Sequence, residues 1–159
     1  MVEVTIIDHE EQPTVGIRRE IRVDQMQEFF AEIFDDVIRA LRDAHVDPTG
    51  APFARYRGRP AETVDIEAGF PVAEPFAGSG ELVGGMLPAG RAAEAVHVGP
   101  YETLRETYAA LEAWLGEHGL HAEEEMWERY DSGPASDPDP ATWRTRVVWL
   151  VSGPEKEES

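Results

Sequence analysis

Apolar residues along this chain are spaced in two ways, and runs of the two kinds follow one another in the same order twice. Short runs alternate apolar and polar positions, as strands do, and two longer runs repeat every three or four positions, as helices do. Val2 to Ile7 predicts a first strand, Asp8 to Gln12 a charged turn, and Pro13-Thr14-Val15-Gly16-Ile17-Arg18 a return to extended chain. Asp24, with Gln27 three residues on, predicts the N-cap of a first helix. Its broad apolar stripe is Met26, Phe29, Phe30, Ile33, Phe34, Val37, Ile38 and Leu41. After the turn Asp47-Pro48-Thr49-Gly50, two strands are predicted over 52–57 and 62–70, separated by Gly58-Arg59-Pro60.

The segment 72–80, with Ser79 and a mixture of Pro and Gly, reads as a loop joining two halves of one domain. Beyond it, 81–86 and 91–98 read as a hairpin around Leu87-Pro88-Ala89-Gly90. Gly99-Pro100 then opens a second helix with Tyr101, Leu104, Tyr108, Leu111 and Leu115 along one side, and Gly119 suits its C-terminal cap. A strand ending at Tyr130, a turn-rich stretch over 131–140 and a last strand over 143–151 complete the order. The polar, acidic end 153–159 is expected to be disordered. Aligning Arg55-Tyr56 with Arg129-Tyr130 superposes Phe34 on Tyr108, Val37 on Leu111 and Leu41 on Leu115. Each half then reads strand, helix, strand, strand. The expectation is one domain over 1–152, built from repeats of about 1–72 and 81–152.

Charge narrows the range of partners. Thirty-two Asp and Glu against 14 Lys and Arg give a formal charge of −18, which repels phosphate backbones and concentrates cations, so direct nucleic-acid binding is not expected. With no cysteine, disulfides, thiol nucleophiles and thiolate metal sites are excluded. The start lacks a basic segment followed by an apolar one, and no run approaches a membrane span; a soluble, cytoplasmic protein, monomer or homodimer, is expected. His118 and His121 have a metal-compatible spacing, but Gly119 breaks the helix between them, so no metal is expected. The glycine pairs lack phosphate-loop spacing and no serine has a nucleophile-elbow context, so no cofactor and no acyl-enzyme are expected.

Glu128 is the best candidate for chemistry. Strand alternation puts Met126, Glu128 and Tyr130 on one face and Trp127 and Arg129 on the other. A carboxylate among bulky side chains needs a cationic partner, a hydrogen-bond donor, a proton or water. A solvated face, or pairing with an Arg of a neighbouring strand, would account for it without any function. The repeat puts Ala54 at the equivalent position, so one half carries a carboxylate where the other carries a small side chain, with room for a ligand between the halves. Phe53, Tyr56, Phe70, Trp127, Tyr130, Trp143 and Trp149 fall in strands, where they serve a core. Gathered near a lone carboxylate, such rings would suit a flat cation, at about 0.5 to 2 kcal/mol each.

Four stretches taken together resemble the GyrI-like small-molecule-binding family, related to effector-binding domains of AraC-type and MerR-type multidrug regulators. They are Pro13 to Arg18, His97-Val98-Gly99-Pro100-Tyr101, Trp127-Glu128-Arg129-Tyr130 and Trp143-Arg144-Thr145. The resemblance implies an α+β fold: an antiparallel sheet of two pseudo-twofold strand-helix-strand-strand repeats, with helices on one face and a ligand groove on the other. It places the family's groove glutamate on Glu128, followed by Tyr130. The expected ligands are hydrophobic, often cationic, multi-ring molecules, bound for drug sequestration or resistance. Candidate walls are Tyr56, Trp127, Tyr130, Phe70, Tyr101 and Phe53, although alternation points Trp127 away from Glu128. Two further roles follow from the resemblance. One is a hydrolase that opens cyclopropanoid DNA-alkylating compounds, with Glu128 as general base and Tyr130 as donor; the other is a DNA gyrase inhibitor or protector.

Overall fold

The computed structural model describes residues 3–57, 62–78, 80–100, 103–132 and 138–153, apart from the side chains of Gln27, Ala31 and Arg57. Tyr101, Ser79, Gly58-Arg59-Pro60, residues 133–137 of the 131–140 turn and the tail beyond Gly153 lie outside them. In chain order the main elements are β1 (Val4–His9), β2 (Gln12–Arg22), α1 (Met26–Asp43), β3 (Phe53–Arg57), β4 (Thr63–Pro71), β5 (Val83–Leu87), β6 (Gly90–Val98), α2 (Leu104–Glu117), β7 (His121–Tyr130) and β8 (Arg144–Ser152). This is an α+β fold of antiparallel strands with two helices, divided into two compact units.

The unit Glu10–Ala89 orders its strands β3-β4-β2-β5. The register pairs Val15 with Phe70 and Ile17 with Ala68, so one face presents these four side chains to Ile33, Val37 and Leu41 of α1. The other face is polar, with Arg18 paired to Asp65 at 2.7 Å. In the second unit, β1 joins the chain from Gly90 onward in the order β1-β6-β8-β7. Here Ile6 pairs with Ala93, Val4 and Val147 with Ala95, and these residues meet Leu111 and Leu115 of α2. Fully burying such an aliphatic side chain contributes roughly 1.5 to 3 kcal/mol. The alanines of β6 leave space for the helix above them.

Four expectations are corrected. The first strand packs with β6 in the second unit, because Val4 and Ile6 complete the core under α2, so the compact units are not two continuous stretches of chain. The 81–98 stretch is not a hairpin: β5 pairs with β2, whereas β6 pairs with β1 and β8. Asp24 does not cap α1. It sits in a short 3-10 turn, Val23–Gln25, and pairs with Arg22 at 2.9 Å, while the Gln25 side chain accepts the Arg22 backbone N–H. The strand ending at Tyr130 begins at His121 and is irregular, with a register shift between Ala122 and Met126; alternation is regular from Met126 onward.

Both helices end alike. After α1 the Val46 N–H bonds back to the Leu41 carbonyl at 3.0 Å, and after α2 the Leu120 N–H bonds to that of Leu115 at 2.9 Å. The residue between takes a left-handed conformation in each, His45 at φ 59° and Gly119 at φ 71°. A side chain is strained there and glycine is not. His45→Gly is therefore expected to raise stability by about 0.5 to 1 kcal/mol, and Gly119→Ala to lower it by about 1 kcal/mol. Urea unfolding midpoints at constant slope provide the check; a loss of stability in His45→Gly would contradict it.

Candidate functional site

Glu128 is 5% exposed, and both of its carboxylate oxygens are held by tyrosine hydroxyls. Tyr130, two residues on along β7, donates to Oε1 at 2.6 Å. Tyr108 of α2 donates to Oε2 through a short hydrogen bond. A buried carboxylate without donors would be very costly, and two charge-assisted hydrogen bonds are how this strand tolerates one. Both tyrosines are half-buried.

Packing aims Tyr108 at that point. Leu111 and Leu115 anchor α2 on the sheet, which places Tyr108, one turn earlier, above β7 and β8. Its ring meets Trp149 edge-on, with centroids 6.0 Å apart. Trp149 is itself fixed, since its indole N–H donates to the Glu123 carbonyl at 2.6 Å, within the irregular stretch of β7. His97 ties the end of β6 to the start of α2. Its Nε2 lies 3.0 Å from the Pro100 carbonyl, which can only accept, so Nε2 carries the proton and Nδ1 accepts from Thr107 Oγ1 at 2.6 Å. Thr145 of β8 pairs with Tyr130 on one side and His97 on the other.

Glu128 was expected in a groove on the face away from the helices. It lies instead on the α2 face, because Met126, Glu128 and Tyr130 share the side of the sheet that Val147 and Trp149 present to α2. The neighbouring arginines do not turn towards it. Arg129 pairs with Asp131 at 2.9 Å, and Arg146 pairs with Glu94 at 2.9 Å and Asp131 at 3.2 Å, on the opposite face. Burial opposes the charge of Arg146, but the two acids outweigh it and hold the guanidinium above its usual range.

Trp127 also lies on that opposite face, 3% exposed, edge-on to His9 with ring centroids 4.8 Å apart. It is therefore no wall of the Glu128 site. Phe70 packs against Phe34 in the core under α1 and serves structure there. Phe53 and Tyr56 are buried on β3 of the same unit. A shallow depression of about 540 Å³ in that unit, lined by Asp36, Arg39, Asp43, Glu81 and Leu82 among others, shares no residue with the Glu128 setting. No group of three His, Asp or Glu residues able to hold a metal occurs among the described residues. Tyr108 was legible only as a member of the helical stripe. Its signal was the tyrosine that the repeat aligns with Phe34.

No curated protein matches the chain in sequence. Among solved structures it is similar to the EcmrR C-terminal domain, with a TM-score of 0.84 at 19% identity over 97% of this chain and 99% of that one. It is also similar to EcmrR in a cryo-EM structure of an EcmrR–DNA complex, with a TM-score of 0.86 at 20% identity over 96% of this chain, which spans 58% of the EcmrR chain. A third is SAV2435 bound to tetraphenylphosphonium, with a TM-score of 0.68 at 11% identity over 95% of this chain and 94% of that one. At these identities the structures speak for the fold. The model of the GyrI-like small-molecule-binding domain matches residues 2–152, and the chain belongs to that family.

Proposed function

We propose that the chain binds hydrophobic organic cations at Glu128, capturing multi-ring compounds as a means of drug sequestration or resistance. The observation that carries this reading is a carboxylate 5% exposed whose two oxygens both accept tyrosine hydroxyls. Hydroxyl donors hold a carboxylate in place without cancelling its charge. A cation arriving beside it gains the Coulomb attraction of a poorly hydrated partner and the ring faces of Tyr108 and Tyr130, each about 0.5 to 2 kcal/mol. SAV2435, which shares the fold, was solved with a cation of this class, tetraphenylphosphonium. The bonds to both oxygens suit a fixed charge better than a base that must take a proton from water. Binding is therefore preferred to the ring-opening hydrolysis in which Glu128 is general base and Tyr130 the donor. Many equivalents of opened product from a cyclopropane-bearing alkylator would reverse that preference.

Two predictions follow from the carboxylate and its donors. Glu128→Gln should leave the protein folded and weaken tetraphenylphosphonium by about tenfold or more in calorimetry, since a buried ion pair losing one charge costs a few kcal/mol. A neutral triaryl compound of similar shape should change far less, and equal affinities for the cation in the two proteins would remove the charge from the account. Tyr108→Phe should lower stability by roughly 1.5 to 3 kcal/mol, the worth of a hydrogen bond to a charged group, and by clearly less when Glu128 is already Gln. A double-mutant cycle in urea with no coupling between the two positions would show that the hydroxyl does not support the carboxylate.

A further inference from the structure

β2 is covered along only part of its outer edge. The Pro13 carbonyl accepts from the Val72 N–H at 2.9 Å, and the Val23 N–H donates to the Glu62 carbonyl at 3.0 Å. Odd-numbered residues of this strand therefore aim their backbone groups at β4, and even-numbered ones aim theirs at the opposite edge. β5 pairs with that edge from Gln12 to Gly16, where the ladder stops at Val83. At the far end the Arg22 N–H donates to the Gln25 side chain at 3.2 Å. Between these two points the N–H and C=O groups of Arg18 and Glu20 face outward, and among the described residues no bond reaches them. Arg18, Arg19 and Glu20 are all exposed.

The surface beside this opening, on the α1 side, is hollow. The depression of about 540 Å³ described above includes Ile17, a second of about 230 Å³ includes Arg19 and Ile21, and the two share Asp36 of α1. Ile17, Leu82 and Ile33 contribute apolar floors, and acids stand on the rim. Arg19 is paired with Glu81 at 3.0 Å and Arg39 with Asp36 at 3.4 Å, which leaves Glu28, Glu32 and Asp43 without a cation among the described residues.

We propose that the β2 edge over 17–21 receives a short, extended, basic segment of a partner protein, added antiparallel as a further strand. Its backbone would meet the outward groups of Arg18 and Glu20. Alternate side chains, about 7 Å apart, would fall on the α1 side, where lysine or arginine stems lie over the apolar floor and their charges reach Glu28, Glu32 and Asp43. Val83 and Gln25 limit the opening to about five residues. A second copy of this chain fits it poorly: its own β2 is 11 residues long and carries a β5, and rim acids would face rim acids. The exposed charges along the edge guard against such self-pairing and admit a partner that brings the opposite charge. Glu128, in the other unit, plays no part.

The probe is a fluorescein-labelled peptide, acetyl-Lys-Val-Lys-Val-Lys-amide, titrated into the full chain at low salt and followed by anisotropy. Saturable binding is expected, and Glu28→Gln combined with Glu32→Gln should weaken it by about fivefold or more. The same composition ordered Lys-Lys-Lys-Val-Val should also bind about fivefold more weakly, because it loses the alternation. N-methylation of both valines, whose N–H groups would enter the ladder, should weaken binding by about tenfold or more. In amide exchange followed by NMR, saturating peptide should slow Arg18 and Glu20 by about tenfold and leave Arg19 and Ile21, already bonded to β4, within about twofold. No saturable binding, equal affinity of the reordered or N-methylated peptide, or unchanged exchange at Arg18 and Glu20 would overturn the proposal. A dimer in sedimentation that Glu20→Pro abolishes would give the edge to a second copy and overturn it as well.

Discussion

The hydrogen bonds from Tyr108 and Tyr130 to Glu128 are the constraint on which the rest of this unit depends. A carboxylate in the middle of an apolar strand face is tolerable only where donors are already aimed at it, and one of these donors comes from a helix. The helix must therefore sit at one height and rotation over the sheet. Leu111 and Leu115 supply the adhesion, Trp149 braces the Tyr108 ring, and His97 with Thr107 fixes the first turn. The alanines of β6 give α2 its seat. Core and site are thus one arrangement, in which apolar packing sets the geometry that makes a buried charge affordable.

The other unit has the same strand order with Ala54 at the position that matches Glu128. Ala54 is fully buried opposite Ala68, as Glu128 stands opposite Val147, and Phe34 packs against Phe70 where Tyr108 meets Trp149. At these positions the two units differ by a carboxylate and a phenolic oxygen. Removing the oxygen alone would leave the carboxylate short of a donor, and removing the carboxylate alone would leave a hydroxyl without its acceptor. The two residues are coupled by the cost of either one being buried without the other.

Much of this was legible in the chain. The 3.6-residue stripes of α1 and α2 and the alternation from Met126 to Tyr130 depend on local periodicity, and the elements stand where the patterns put them. Strand partners depend on distant packing. Val4 and Ile6 join β6 because they complete the core under α2, and 81–98 looked like a hairpin because turn chemistry does not reveal which strand a segment will pair with. Glu128 could be singled out because a lone acid interrupts an apolar face. Its environment could not, since Tyr108 reads as another apolar member of a stripe and its hydroxyl matters only after the helix has docked. Thr145 looks like an ordinary strand residue until its register beside Tyr130 and His97 is known.

We propose that a cation is held at the charge of Glu128, on the α2 face of β7. A crystal structure of the protein with tetraphenylphosphonium tests it most directly. Density for the cation is expected against the Glu128 carboxylate, with the Tyr108 and Tyr130 rings turned to its phenyl groups. Full-occupancy density elsewhere, with Glu128 still buried beneath its two hydroxyls and untouched by ligand, would contradict it.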